Sequence, residues 1–144
     1  MIILGATGAG KASLACAFGT AASRGFYSVR YIRLPDLLVE ISVARTNGTY
    51  RDYMKRLRKE KLLILDEWLL YPLKETVARD VLELVEARNK VASTIFCSQY
   101  DTIEWHENLY DPTLADAICD RIIYNAYTIQ IEGESMRKRK GIPE

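Results

Sequence analysis

Short apolar runs alternate along the chain with longer stretches in which apolar residues return every three or four positions. Runs of the first kind read as buried strands and stretches of the second kind as amphipathic helices. The pattern therefore predicts an α/β domain on a mainly parallel sheet. Ile2 to Leu4 is a first strand. Lys11 to Arg24 is a helix with Leu14, Ala15, Phe18 and Ala22 on one face and Gly25 as its C-terminal cap. Tyr27 to Ile32 is a second strand. Leu34, Leu37, Leu38 and Ile41 then repeat at helical spacing, with Pro35 where a first helical turn accepts it. Asn47-Gly48 breaks that helix, and Thr49 caps another that runs to about Lys59. Leu62 to Leu65 is an apolar run closed by Asp66, as expected of a central strand. Val77, Val81, Leu84, Val85 and Arg88 mark the next helix and Ala92 to Cys97 a fourth strand. Asp101 or Thr102 opens a short helix. Asp111-Pro112 is an N-cap and first-turn proline before Leu114, Ala115, Ile118, Cys119 and Ile122 on one face, and Ala126 to Ile131 alternates as a fifth strand.

Composition narrows this picture. The 144 residues, 49% hydrophobic and 27% charged, suit one domain with one sizeable core. No apolar run approaches the ~18 residues that span a bilayer, and the first residues lack the basic start of a secretory leader. A cytoplasmic protein is expected. Cys16, Cys97 and Cys119 are odd in number and lack metal-ligand spacing, so each reads as a small buried hydrophobe. A lone histidine, His106, excludes a multi-histidine metal site. The net charge is only +1 but unevenly spread, with basic clusters between Arg45 and Lys61 and from Arg137 to Lys140.

The segment Gly5, Ala6, Thr7, Gly8, Ala9, Gly10, Lys11 matches G-x-x-x-x-G-K between a strand and a helix. A chain wrapping a phosphate must turn its N–H groups inward, and glycine permits the backbone angles and the close approach. The following helix adds its free N–H groups and positive dipole end, and Lys11 adds a mobile charge. One position departs. The next residue should be Ser or Thr, whose hydroxyl ligates Mg2+, but here it is Ala12. Ser13 follows, rotated by about 100° around the helix. ATP binding is expected to survive, with Mg2+-dependent hydrolysis weakened. The second element is Leu62-Leu63-Ile64-Leu65-Asp66-Glu67. Four apolar residues bury a strand, Asp66 emerges at its carboxyl end to hold Mg2+ through water, and Glu67 is placed to orient or deprotonate an attacking water.

Several segments together resemble IstB-like transposition helper ATPases and, more distantly, DnaC-type helicase loaders within the AAA+ group. They are GATGAGK, GFYSVRYIRLPDLL, LLILDEW, STIFCSQ, DPTLADAICDRI and GESMRKRK, spread from Gly5 to Lys140. The resemblance implies a three-layer P-loop fold with a five-stranded parallel sheet in the order 5-1-4-3-2 and no separate lid. It also implies that Ser98 or Gln99 reads the γ-phosphate, that Arg121 is an arginine finger offered to a neighbouring subunit, and that Arg137 sits in a second sensor position. Family members carry a region before the first strand, which is expected to be missing here. The implied partners are DNA, a transposase and further copies of the chain.

Arg51, Lys55, Arg56, Arg58 and Lys59 form a candidate DNA-binding set, which would contact backbone phosphates without reading sequence. Tyr50 and Tyr53 beside them either stack on bases or pack inward. Trp68 and Trp105 read as packing residues. The expected function is an ATP-binding helper for DNA transposition. The competing readings are a DnaC-like helicase loader, a nucleotide- or DNA-binding module that has lost catalysis, and a small-molecule kinase, against which Glu67 argues.

Overall fold

The structure is a computed structural model that describes residues 1–6, 8–124 and 126–132. Five strands and six helices follow in the order β1 (Ile2–Gly5), α1 (Lys11–Arg24), β2 (Val29–Arg33), α2 (Leu34–Thr46), α3 (Tyr50–Lys59), β3 (Leu62–Asp66), α4 (Glu75–Arg88), β4 (Ser93–Ser98), α5 (Thr102–Glu107), α6 (Pro112–Ile123) and β5 (Thr128–Ile131). All strand pairs are parallel, in the order β2-β3-β4-β1-β5. This is the expected sheet read from its other edge.

Period-2 alternation sorts the central strands onto two cores. Leu62 and Ile64 of β3 join Ile3, Ile95 and Cys97 against Ala15 of α1, with Leu14, Phe18 and Ala22 at the border. Leu63 and Leu65 face the other way, where Ile2, Leu4 and Phe96 meet Leu37, Leu57, Leu84, Trp105 and Ile118 from α2 through α6. One helix thus covers one face and five cover the other, which makes the three layers. Both faces of β3 are closed, which is why its apolar run is unbroken. Among the described residues no helix is long and apolar enough to cross a membrane.

Two expectations fail at the start of β2 and in α1. Gly25 is the cap of α1, but its φ is −83°. The left-handed residue is Phe26, with φ 66°. The Tyr27 N–H bonds the Ala22 carbonyl (3.1 Å) and the Phe26 N–H the Ser23 carbonyl (2.9 Å), which closes the helix with Gly25 as its cap and Phe26 as the left-handed residue after it. That closing turn consumes Phe26 and Tyr27, and the strand begins at Val29. Cys16 is not buried. It lies one position past Ala15, off the inward stripe of α1, and is exposed. Cys97 is buried and Cys119 half-buried.

Candidate functional site

Only β4 separates β1 from β3, so the loop leaving β1 and the acids ending β3 share the carboxyl edge of the sheet. The chain reverses its direction of winding there, where parallel sheets form a crevice. Gly5 pairs with Ile131 of β5, and a side-chain carbon on Gly5 would stand 3.0 Å from the Ile131 carbonyl oxygen. Gly8 (φ 82°) and Gly10 (φ 102°) hold left-handed conformations that turn the loop back on itself. The Ala9 N–H donates to the Ala6 carbonyl at 3.0 Å. Gly10 is the N-cap of α1, without a side-chain cap, and the first amides of α1 follow it. Thr7 lies outside the described residues. The Lys11 ammonium folds over this loop and donates to the carbonyls of Gly5 (2.7 Å) and Ala6 (3.0 Å). Burial lowers its pKa from the usual lysine value, while the charge of Asp66 acts in the opposite sense. Ala12 is half-buried and Ser13 exposed.

Asp66 ends β3 with both carboxylate oxygens engaged. Oδ1 accepts from the Glu67 N–H at 2.8 Å, and Oδ2 accepts from the Tyr31 hydroxyl of β2. Burial, then the bond to Asp66 and its charge, raise the Tyr31 phenol above its ordinary range, so it stays a donor. Glu67 has φ 52°, a left-handed conformation rare for a glutamate. Trp68 supports it. Its N–H bonds the Cys97 carbonyl (2.8 Å), and its indole packs edge-on against Phe96 and Trp105. Pinned by that buried ring, Glu67 turns its side chain to Arg33 at the end of β2, with Nη2 to Oε2 at 2.8 Å. Tyr31, Arg33 and Trp68 are the site residues that sequence reading passed over. The available signal was the period-2 pair Tyr31 and Arg33 at the end of a strand expected to neighbour β3.

The two sensor candidates part here. Ser98 is fully buried, and its Oγ accepts from the Tyr100 N–H (3.1 Å) and the Trp105 indole N–H (3.0 Å). That hydroxyl ties Tyr100 and the Trp105 indole together beneath the site. Gln99 is half-buried at the edge itself. Arg121 lies at the far, amino end of the strands, where it lines a cavity of about 700 Å³ together with Met1, Lys61, Ser93 and Tyr127. Its guanidinium donates to the Ala117 carbonyl (2.7 Å) and pairs with Glu86 (2.9 Å). It does not meet the phosphate loop of its own chain. Arg137 and the basic run to Lys140 lie outside the described residues.

On α3 the buried side is Tyr53, Met54 and Leu57, while Arg51, Lys55, Arg56, Arg58 and Lys59 are exposed. None of these five forms an ion pair among the described residues. The neighbouring tyrosines are not free to stack on bases. Tyr53 is buried, and Tyr50 lies under the Arg45 guanidinium (4.3 Å) with its hydroxyl bonded to Glu83 (2.6 Å). Arg45 is itself committed to buried Asp80 through two 2.5 Å bonds.

Comparisons with known proteins bear on the family and the fold. The family model described as IstB-like ATP binding protein matches residues 1–142. A Sinorhizobium fredii protein named as an insertion sequence ATP-binding protein, y4pL, is 44% identical over 140 residues, covering 97% of this chain and 57% of that protein. A protein of Bacillus thuringiensis named for ATP binding in insertion sequence IS232 is 34% identical, covering 95% of this chain and 55% of its own length. The chain thus spans about half the length of these curated relatives. Among solved structures, AMPPCP-bound DnaA from Aquifex aeolicus superposes with a TM-score of 0.79 at 19% identity, over 97% of this chain and 42% of that one. The DnaC helicase loader superposes with a TM-score of 0.74 at 18% identity, over 92% and 77%. At such identities these two show a shared fold.

Proposed function

The chain belongs to the IstB-like ATP binding protein family, and on that footing we propose that it binds ATP with Mg2+ at the carboxyl edge of its sheet and helps a transposase as a DNA-bound homo-oligomer. The observation that carries the nucleotide reading is the meeting of Lys11 and its left-handed glycine loop with Asp66 across that edge.

The donor set fits a nucleotide-borne Mg2+. No group of three or more His, Cys, Asp or Glu forms a metal cage among the described residues. One carboxylate facing a phosphate loop suits an ion that keeps its waters and phosphate oxygens. When bound, Mg2+ neutralises charge on the outer phosphates. The protein's part is to hold and aim. The loop amides and Lys11 bind phosphate oxygens, with Lys11 exchanging its bonds to Gly5 and Ala6 for them. Asp66 orients the ion's waters. Glu67 takes the proton of the attacking water once it leaves Arg33. Gln99 touches the γ-phosphate, and Arg121 reaches the site of a neighbouring copy.

Titration with a fluorescent ATP analogue tests the binding step, and Lys11→Ala should abolish it. Phosphate release with and without duplex DNA tests turnover. Co-purification with the transposase of the same element, rather than with a replicative helicase, tests the partner. Undiminished nucleotide binding by the Lys11 variant would remove the reading. Ala12 favours a second one, a module that binds nucleotide without turning it over. Intact binding with no phosphate release under any DNA condition would select it.

A further inference from the structure

Phosphate loops of this pattern place a Ser or Thr hydroxyl on Mg2+ after the lysine, and Ala12 has none. Asp66 is then the one protein anchor for the ion among the described site residues, and how it is held matters more than where two anchors share the task. Its carboxylate is held at both oxygens, by the Glu67 N–H at Oδ1 and by the Tyr31 hydroxyl at Oδ2. A carboxylate oxygen offers about two acceptor directions, so each keeps one for a metal-bound water while rotation of the group is stopped. The backbone donor comes with the chain itself. The phenol is a separate contribution from β2, and the parallel register brings it in by setting Tyr31 opposite Ile64, two residues before Asp66. Tyr31 is 42% exposed, so core packing alone does not account for a tyrosine there.

We propose that Tyr31 is a positioning residue of the metal site, its hydroxyl fixing the Asp66 carboxylate and making up for the anchor that Ala12 cannot supply. The inference rests on the nucleotide site proposed above. It concerns the orientation of a ligand, so its signature is in metal affinity before it is in turnover. Loss of a hydrogen bond behind a metal ligand lowers metal affinity by about 10- to 100-fold.

The test measures the Kd of a fluorescent ATP analogue in EDTA and in Mg2+, and takes their ratio as the metal's contribution. Mn2+ binding by electron paramagnetic resonance is a second readout. Four proteins are compared: wild type, Tyr31→Phe, Ala12→Thr and the double variant. Tyr31→Phe should shrink the ratio on the order of tenfold, with the Kd in EDTA and the melting temperature unchanged. With Thr at position 12 a second anchor is present, and the same replacement should cost much less. Equal ratios for wild type and Tyr31→Phe overturn the proposal, as does a Tyr31→Phe loss that is the same in EDTA and Mg2+, or the same with and without Thr at 12. A wild-type chain that binds the analogue but gains nothing from Mg2+ overturns the proposal and leaves nucleotide binding standing. A wild-type chain that binds in neither condition removes the site altogether.

Discussion

Arg33 ends β2 with a guanidinium nitrogen 2.8 Å from Oε2 of Glu67, across a register that sets Arg33 opposite Asp66. The two adjacent acids are thereby held by two residues of one strand, Asp66 by Tyr31 and Glu67 by Arg33. A glutamate engaged this way has one oxygen occupied by the guanidinium and turned towards β2, so that oxygen is not presented to a water at the phosphate loop. Arg33 is exposed and Glu67 half-buried, so water reaches the pair and it can be exchanged. Arg33→Ala should therefore raise DNA-independent phosphate release severalfold without changing nucleotide affinity. Glu67→Gln should lower turnover by about 10²- to 10⁴-fold while binding persists. Lower turnover in the Arg33 variant would show that the pair aids catalysis instead of restraining it.

The basic face of α3 makes a separable prediction. Arg51, Lys55, Arg56, Arg58 and Lys59 project into water without carboxylate partners among the described residues, whereas Arg45 is spent on Asp80. Neutralising Lys55, Arg56 and Arg58 should weaken DNA binding irrespective of sequence. It should also reduce the slope of log affinity against log salt by roughly one for each phosphate left without its cation. Fluorescence anisotropy across a salt series measures both. Arg45→Ala should instead leave the DNA slope unchanged and lower stability by about 2 kcal/mol or more, because Asp80 stays buried without its partner. An unchanged slope in the triple variant would exclude this face as a DNA-binding surface.

Much of this architecture was readable from the chain because its signals are local. The loop Gly5–Lys11 and the run ending at Asp66 each carry their chemistry within seven residues, and helical periodicity placed even the charged Arg88 on the buried stripe of α4. What escaped was set by contacts between elements. Tyr31 and Arg33 become site residues only through the pairing of β2 with β3. Ser98 and Gln99 are adjacent, and only the position of the Trp105 indole decides which one is consumed by the core. Cys16 looked buried because its neighbours are apolar, yet one step around a helix took it to the surface.

The cysteines should separate by chemistry as they do by position. Burial pushes the Cys97 thiol up to about 12 and that of Cys119 to about 11. Thiolate is the reactive form, so Ellman's reagent near pH 8 should find Cys16 first, with the other two reacting quickly only after denaturation. The same shifts fix an alkaline limb. A thiol raised in the folded state stays protonated while the unfolded chain ionises from about pH 9. Stability is therefore intact below that pH and falls as pH rises towards 12, by about 1.4 kcal/mol per pH unit for one such group. Denaturant melts from pH 8 to 11 should show a shallower limb for Cys97→Ala. An identical limb would assign the loss to other groups.

Arg88 is the test of how α3, α4 and β4 are tied together. Only 2% exposed and with no carboxylate partner among the described residues, it donates to the carbonyls of Leu57 and Glu60 (2.8 Å each) and Ser93 (2.7 Å), and to the Thr94 hydroxyl (2.9 Å). Burial brings its pKa down to about 10, so it keeps its proton at ordinary pH. Arg88→Met would fill similar space but take this donor from the buried Leu57 carbonyl and the partly buried Glu60 and Ser93 carbonyls, at about 1–3 kcal/mol for a buried group left unpaired and less for the other two. Removing an uncompensated buried charge returns part of that. A net loss of about 3 kcal/mol is expected, read as a lower urea midpoint at unchanged slope. Lysine at the same position keeps the charge but cannot span four acceptors with one nitrogen, so Arg88→Lys should fall between wild type and Met. A methionine variant as stable as wild type would mean that water satisfies those carbonyls and that the guanidinium does not join the helix bearing the basic face to the strand that ends at Ser98.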